Sequence, residues 1–163
     1  ESEKGVGTTF VIRVPFKIDL DADKREEQTD ASEKSIKGLH ILLAEDNELN
    51  MEIAEFMLQS AGAEVTKAWN GQETVELFRK SESGEFDVIL MDIMMPVMNG
   101  YEATKMIRSL DREDAKEIPI IAMTANAFTE DRIRAKEAGM DEHVAKPVDV
   151  ELLIKVIYKL VEC

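Results

Sequence analysis

The sequence predicts an α/β fold: one doubly wound sheet of five parallel strands with helices on both faces. Three observations carry this. Between residues 38 and 163, apolar runs of strand length alternate five times with helical patterns, which is the signature of βα units. The runs Ile41-Leu42-Leu43-Ala44, Val88-Ile89-Leu90-Met91 and Ile120-Ile121-Ala122-Met123 are apolar without alternation, as strands covered on both sides must be. Four runs then stop on polar residues of one chemical theme: Glu45-Asp46, Asp92, Thr124 and Lys146-Pro147. In open sheets of this kind ligands sit beyond the carboxyl ends of the strands.

Taken in order, strands are expected near 39–44, 63–68, 86–91, 118–123 and 142–145, and helices near 48–61, 71–81, 100–110, 127–138 and 149–161. The last helix is the clearest. Leu152, Leu153, Val156, Ile157 and Leu160 form its apolar stripe, and Asp149 stands where a cap is wanted. Gly62 and Gly139 follow helical stretches, where a left-handed closing residue is favoured.

Two further regions precede this unit. Residues 1–16 hold Gly5-Val6-Gly7-Thr8-Thr9 and then Phe10-Val11-Ile12-Arg13-Val14, a β-branched run that reads as one strand closed by Pro15. Residues 17–37 mix acids and bases with small polar groups. They lack the apolar surface to offset ordering entropy, so they read as a flexible polar linker.

Composition narrows the function. The 163 residues are 44% hydrophobic, enough for a real core, and carry 34 acids against 20 bases for a net charge of −14. That balance argues against a general nucleic-acid binder or an anionic-membrane binder, since both need a basic face. A single cysteine, Cys163, offers neither a disulfide framework nor a metal quartet and suits the cytoplasm. No apolar stretch approaches the ~18 residues of a spanning helix, and no basic-then-apolar leader opens the sequence. The chain starts on Glu1 rather than methionine, so a piece of a longer protein is expected, with membrane anchoring of the parent left open.

The strand-end residues can handle a phosphoryl group. Glu45, Asp46 and Asp92 bring negative charges together, which is costly unless a cation sits among them. Carboxylate oxygens with room for water favour Mg²⁺, and a carboxylate can accept a phosphoryl group to give an aspartyl-phosphate. A hydroxyl on Thr124 and an ammonium on Lys146 would stabilise the charge on phosphoryl oxygens. The Lys146-Pro147 bond leaves cis and trans open.

In these residues the sequence resembles a family. Residues 38–163 look like the receiver domain of two-component signalling, in the form found in hybrid histidine kinases. The resemblance rests on Ile41-Leu42-Leu43-Ala44-Glu45-Asp46-Asn47, on Met91 through Gly100, on Ile120 through Ala125, and on Gly139 through Pro147. It implies a flavodoxin-like (βα)5 fold with strand order 2-1-3-4-5. It makes Asp92 the phosphoacceptor, with Thr124 and Lys146 completing the catalytic set. It assigns Mg²⁺ to Asp46 and Asp92 directly, to Glu45 mainly through water, and to Met94 through its backbone carbonyl. His143 stands where the family often places a Tyr or Phe that swings inward on activation, so that switch is open here.

Residues Lys4 to Phe10 look like the last glycine box of a histidine-kinase ATP-binding domain, with its final strand following. Neither His40 nor His143 is followed by the acid and proline of a kinase H-box. The fragment is therefore expected to lack kinase activity of its own and to catalyse only its own phosphoryl acceptance and release. The implied partners are a histidine kinase phosphohistidine domain and a histidine phosphotransfer protein, with no nucleic acid and no membrane contact. The alternative is a stand-alone response regulator that binds protein when phosphorylated. An aspartyl-phosphate enzyme would need an acid two residues past the nucleophile, where Met94 cannot relay a proton. With Met94 there and Asn126 two residues past Thr124, slow-to-moderate autodephosphorylation is expected.

Overall fold

The structure, a computed structural model, describes residues 2–3, 7–8, 35–125 and 129–161. The expected strand over 10–14, most of the linker, Asn126 and Cys163 lie outside the described residues. The chain divides into two compact units, Glu1–Ser32 and Glu33–Cys163. In the first, β1 (Ser2–Glu3) pairs antiparallel with β2 (Gly7–Thr8).

The second unit is a five-stranded parallel sheet. In chain order it holds β3 (His40–Ala44), α1 (Glu48–Ser60), β4 (Glu64–Ala68), α2 (Gly71–Lys80), β5 (Val88–Asp92) and α3 (Gly100–Arg108). Then come the one-turn α4 (Asp114–Glu117), β6 (Ile120–Thr124), α5 (Thr129–Ala138), β7 (Glu142–Ala145) and α6 (Val150–Val161). The sheet order is β4-β3-β5-β6-β7, which is 2-1-3-4-5 counted within the sheet. This is the flavodoxin-like strand order expected from the sequence. All four pairings are parallel, so every carboxyl end of the sheet faces the same edge.

Strand alternation sorts the core into two layers. Leu42, Ala44, Ile89, Met91, Ile120 and Ala122 pack on one face against Val75 and Phe78 of α2 and Ala103 and Ile107 of α3. Ile41, Leu43, Val88, Leu90, Ile121 and Met123 pack on the other against Met51, Ala54 and Leu58 of α1 and Leu153 and Ile157 of α6. Because both faces are covered, all of β5 and β6 is buried, which is why those runs show no polar alternation.

Four local features depart from or extend the sequence reading. Ile36 is fully buried in the α1/α6 layer, so the folded unit takes in residues assigned to the linker; an apolar side chain beside a covered sheet face gains more from burial than a short polar stretch loses in entropy. Leu152 is half exposed, and α6 buries Leu153 and Ile157 instead, because a helix resting on one sheet face presents a narrower stripe than its apolar residues span. The short α4 was not expected. Lys146-Pro147 is cis. Gly62 and Gly139 do take positive φ, at 90° and 98°, and the Leu152 N–H donates to Asp149 Oδ1 at 3.0 Å.

Candidate functional site

Side-chain alternation explains how two acids meet. Glu45 continues the parity of Ile41 and Leu43, and Asp92 that of Val88 and Leu90, so both carboxylates leave the sheet on the face covered by α1 and α6. The loop from β7 to α6 passes over that same face and carries Lys146. Its Nζ lies 2.5 Å from Glu45 Oε2 and 2.8 Å from Asp92 Oδ2. The Lys146 N–H donates to the Thr124 carbonyl at 2.7 Å, tying the loop to the end of β6.

Burial differs across the set. Glu45 and Asp92 are 2% and 5% exposed, whereas Asp46 is exposed. Thr124 is buried at the end of β6, one residue past Met123, the register partner of Asp92. Met94 is 76% exposed, and its backbone N–H donates to Asp92 Oδ1 at 3.2 Å.

The electrostatics follow from burial and charge. Burial raises the Asp92 carboxyl above the ordinary carboxylate range, against the opposing pull of the Lys146 hydrogen bond and charge; Glu45 adds a smaller push in the same direction. Burial disfavours the Lys146 ammonium, but its hydrogen bonds to Asp92 and Glu45 and their charges outweigh that and raise it. Glu45 is held by protein donors at both oxygens. Its Oε1 accepts from Asn50 Nδ2 at 3.0 Å and, at 3.4 Å, from the Asn47 N–H.

The loop between β5 and α3 is closed on itself. The Met98 N–H donates to the Pro96 carbonyl at 2.7 Å around Val97, whose φ of 68° is unusual for a β-branched residue. The Gly100 N–H donates to the Ile93 carbonyl at 3.0 Å, and a Cβ on Gly100 would sit 2.3 Å from the Asp92 carbonyl oxygen. Only glycine lets α3 start this close to the acid-bearing strand. Asn99 caps the helix in a capping box with Glu102.

Ligand oxygens of Glu45, Asp46 and Asp92 lie within 4.8 Å of one another. Three carboxylates facing one ammonium leave negative charge uncancelled. Hard oxygen donors, one of them exposed, suit a small divalent cation that keeps part of its water. The donor set fits Mg²⁺.

The structure thus brings Glu45, Asp46, Asp92 and Lys146 together, with Thr124 at the adjacent strand end. His143 lies apart on β7, its Nδ1 3.9 Å from Glu142 Oε2. Sequence reasoning missed Asn50, whose only signal is its place one turn into the helix that follows Glu45-Asp46. Among the described residues no helix is long and apolar enough to cross a membrane.

A family model for the response regulator receiver domain matches residues 41–158. Hybrid signal transduction histidine kinase M of Dictyostelium discoideum is 44% identical over 122 residues, covering 74% of this chain and 5% of that protein. The chain spans 13%, 7% and 5% of the length of three curated relatives it matches. Among solved structures, the receiver domain of sensor histidine kinase PA1611 from Pseudomonas aeruginosa holds a magnesium ion in its active-site cleft. It matches with a TM-score of 0.70 at 38% identity, covering 77% of this chain and 99% of that one. A chain from the Saccharomyces cerevisiae co-crystal of the histidine phosphotransfer protein Ypd1 with the receiver domain of Ssk1 matches with a TM-score of 0.67. Its identity is 28%, and the match covers 77% of this chain and 90% of that one.

Proposed function

This chain belongs to the response regulator receiver family, and from that premise we propose that it is the receiver of a hybrid histidine kinase, taking a phosphoryl group from phosphohistidine onto Asp92. The observation that carries the reading is the strand-end cluster: three acids within 4.8 Å, two of them ion-paired to Lys146.

An Asp92 carboxylate oxygen attacks phosphorus as the phosphorus–nitrogen bond of phosphohistidine breaks. The imidazole leaves with that electron pair and takes up a proton, and Asp92 becomes an acyl phosphate. Lys146 opposes the effect of burial on the Asp92 carboxyl and then pairs with the incoming phosphoryl oxygens. Thr124 donates its hydroxyl to the same group. Asp46 and Asp92, with Glu45 acting through water and the Met94 carbonyl, would hold Mg²⁺, which supplies positive charge against the phosphoryl oxygens. The reverse transfer onto a second histidine passes the group to a histidine phosphotransfer protein.

The surface beside the site supports a helical protein partner. Leu49, Ile53 and Phe56 on α1 are 64%, 50% and 72% exposed at i, i+4 and i+7. Single exposed apolar groups are ordinary, but an apolar stripe at the mouth of a site that must receive a histidine suits docking of a partner helix. A single cysteine fits a reducing compartment, and the reading sets the domain in the cytoplasm.

The test is incubation with acetyl phosphate and Mg²⁺ followed by intact mass. One phosphoryl group is expected, absent in Asp92→Ala and without Mg²⁺. Failure of the unaltered protein to take the group refutes the reading.

A further inference from the structure

Glu45 is almost wholly buried, and a buried carboxylate is tolerated only when its oxygens are held by donors. Lys146 holds Oε2 at 2.5 Å and Asn50 Nδ2 holds Oε1 at 3.0 Å. Asn50 is itself fixed, since its backbone N–H donates to the side chain of Asn47, the cap of α1, at 3.0 Å. Lys146 Nζ in turn reaches Asp92 at 2.8 Å. Three contacts therefore run in line from the first turn of α1 through Glu45 and Lys146 to Asp92.

We propose that Asn50 is a positioning residue for phosphoryl transfer, locking Glu45 so that its carboxylate holds the Lys146 ammonium against Asp92. The inference rests on the function proposed above. Asn50 is exposed and so owes its place to no burial of its own. Without its amide, Glu45 Oε1 keeps only the long contact from the Asn47 N–H. The carboxylate is then free to rotate toward the open side of the cleft lined by Asn50, Ile53, Met57 and Pro147. Lys146 loses the orientation that Glu45 imposes. Glu45 and Asp92 also belong to the acid cluster that would hold Mg²⁺, so metal affinity and phosphoryl transfer are read separately.

The experiment compares Asn50→Ala and the near-isosteric Asn50→Asp with the unaltered protein. It measures labelling rate from acetyl phosphate at saturating Mg²⁺, and Mg²⁺ affinity by calorimetry. Outer groups that orient a reacting side chain typically contribute about 10-fold or more, so a drop of about 10-fold is expected for Asn50→Ala and a larger one for Asn50→Asp. The Mg²⁺ Kd of each variant, measured in parallel, separates a loss of rate at saturating Mg²⁺ from a loss of metal affinity. In a Glu45→Ala background, Asn50→Ala should add no further loss. In the Mg²⁺-free protein, the Lys146 ammonium signal in the proton–nitrogen spectrum should broaden in Asn50→Ala. A residue that merely filled a helix surface would give the opposite pattern, because alanine is the better helix former: equal or higher stability and an unchanged rate. Labelling of both variants within about twofold of the unaltered protein overturns the inference and leaves the function standing. A loss that adds fully to Glu45→Ala, or that appears in Kd alone, also overturns it. An unaltered protein that takes no phosphoryl group overturns both.

Discussion

Replacing Gly100 with alanine tests how closely the helix after the acid loop must approach the phosphoacceptor strand. A Cβ there would lie 2.3 Å from the Asp92 carbonyl oxygen and 3.0 Å from both Ile93 Cα and Met91 Cγ. Carbon–oxygen contacts settle near ~3.3 Å, so either the start of α3 or the end of β5 must withdraw by about 1 Å. Two of the three neighbours are backbone atoms, which cannot swing aside as a side-chain tip can. Overpacking of this kind costs about 1–3 kcal/mol, and rigid neighbours put it at the upper end. Alanine recovers at most about 1 kcal/mol through helix preference, leaving a net loss of about 2 kcal/mol.

The same shift displaces Asp92 from Lys146, and misplacement on the order of 1 Å at a reacting group can cost about 100-fold in rate. Urea denaturation followed by circular dichroism reads the first effect, and acetyl phosphate labelling reads the second. Gly38→Ala is the control. Gly38 has φ 82° with nothing within 4 Å of a built Cβ. It should lose about 1 kcal/mol from backbone conformation alone and label at the normal rate. If Gly100→Ala loses less than about 0.5 kcal/mol and labels normally, the close-approach reasoning is wrong.

Two further expectations concern stability. Arg112 grips Asp114 with two hydrogen bonds, at 2.7 and 2.6 Å, and also donates to the carbonyls of Phe78 and Ser81 at the end of α2. The Arg112 hydrogen bond holds the Asp114 carboxyl down to about 2 from an ordinary 3.8. A depressed carboxyl stabilises the fold above its unfolded value and loses that contribution as pH falls through its folded value. Stability should therefore drop between pH 4 and 2 by about 1 kcal/mol from this group once solvent screening is allowed for, and Asp114→Asn should flatten that part of the acid denaturation curve; an unchanged curve counts against the pair. Separately, the Tyr101 hydroxyl is buried with no hydrogen-bond partner among the described residues. Removing it in Tyr101→Phe should raise stability by about 1 kcal/mol in thermal unfolding, and a lower melting temperature would show that the hydroxyl is bonded after all.

Much of the fold was legible because the signals were local. Unbroken apolar runs told of strands covered on both faces, and Gly62 and Gly139 marked helix ends through a backbone preference that one residue expresses alone. The less legible parts depend on neighbours distant in sequence. Ile36 looks like a stray apolar residue in a polar stretch until the sheet face beside it is seen. Leu153 and Ile157 turn inward as the apolar stripe expects, yet only the seating of α6 decides that Leu152, in the same stripe by spacing, stays half exposed. The short α4 has too few residues for any periodicity and takes its place from Arg108, which donates to the Ala115 and Ile118 carbonyls, and from Arg112, which donates to the Asp114 carboxylate.

The site divides along the same line. The sequence by itself determined which residue types stop the strands, because side-chain chemistry and strand-end position are both local: acids after the first and third strands, a hydroxyl after the fourth, a lysine after the fifth. Tertiary structure alone decided how they relate. It placed Glu45 and Asp92 on one face by strand alternation, laid the Lys146 loop across both, left Asp46 exposed, and brought Asn50 onto Glu45. A hydrogen bond between residues 101 positions apart, as between Lys146 and Glu45, leaves no trace in either segment alone. It exists because parallel strands carry their carboxyl ends to a single edge, and the division of labour within the acid cluster is set there.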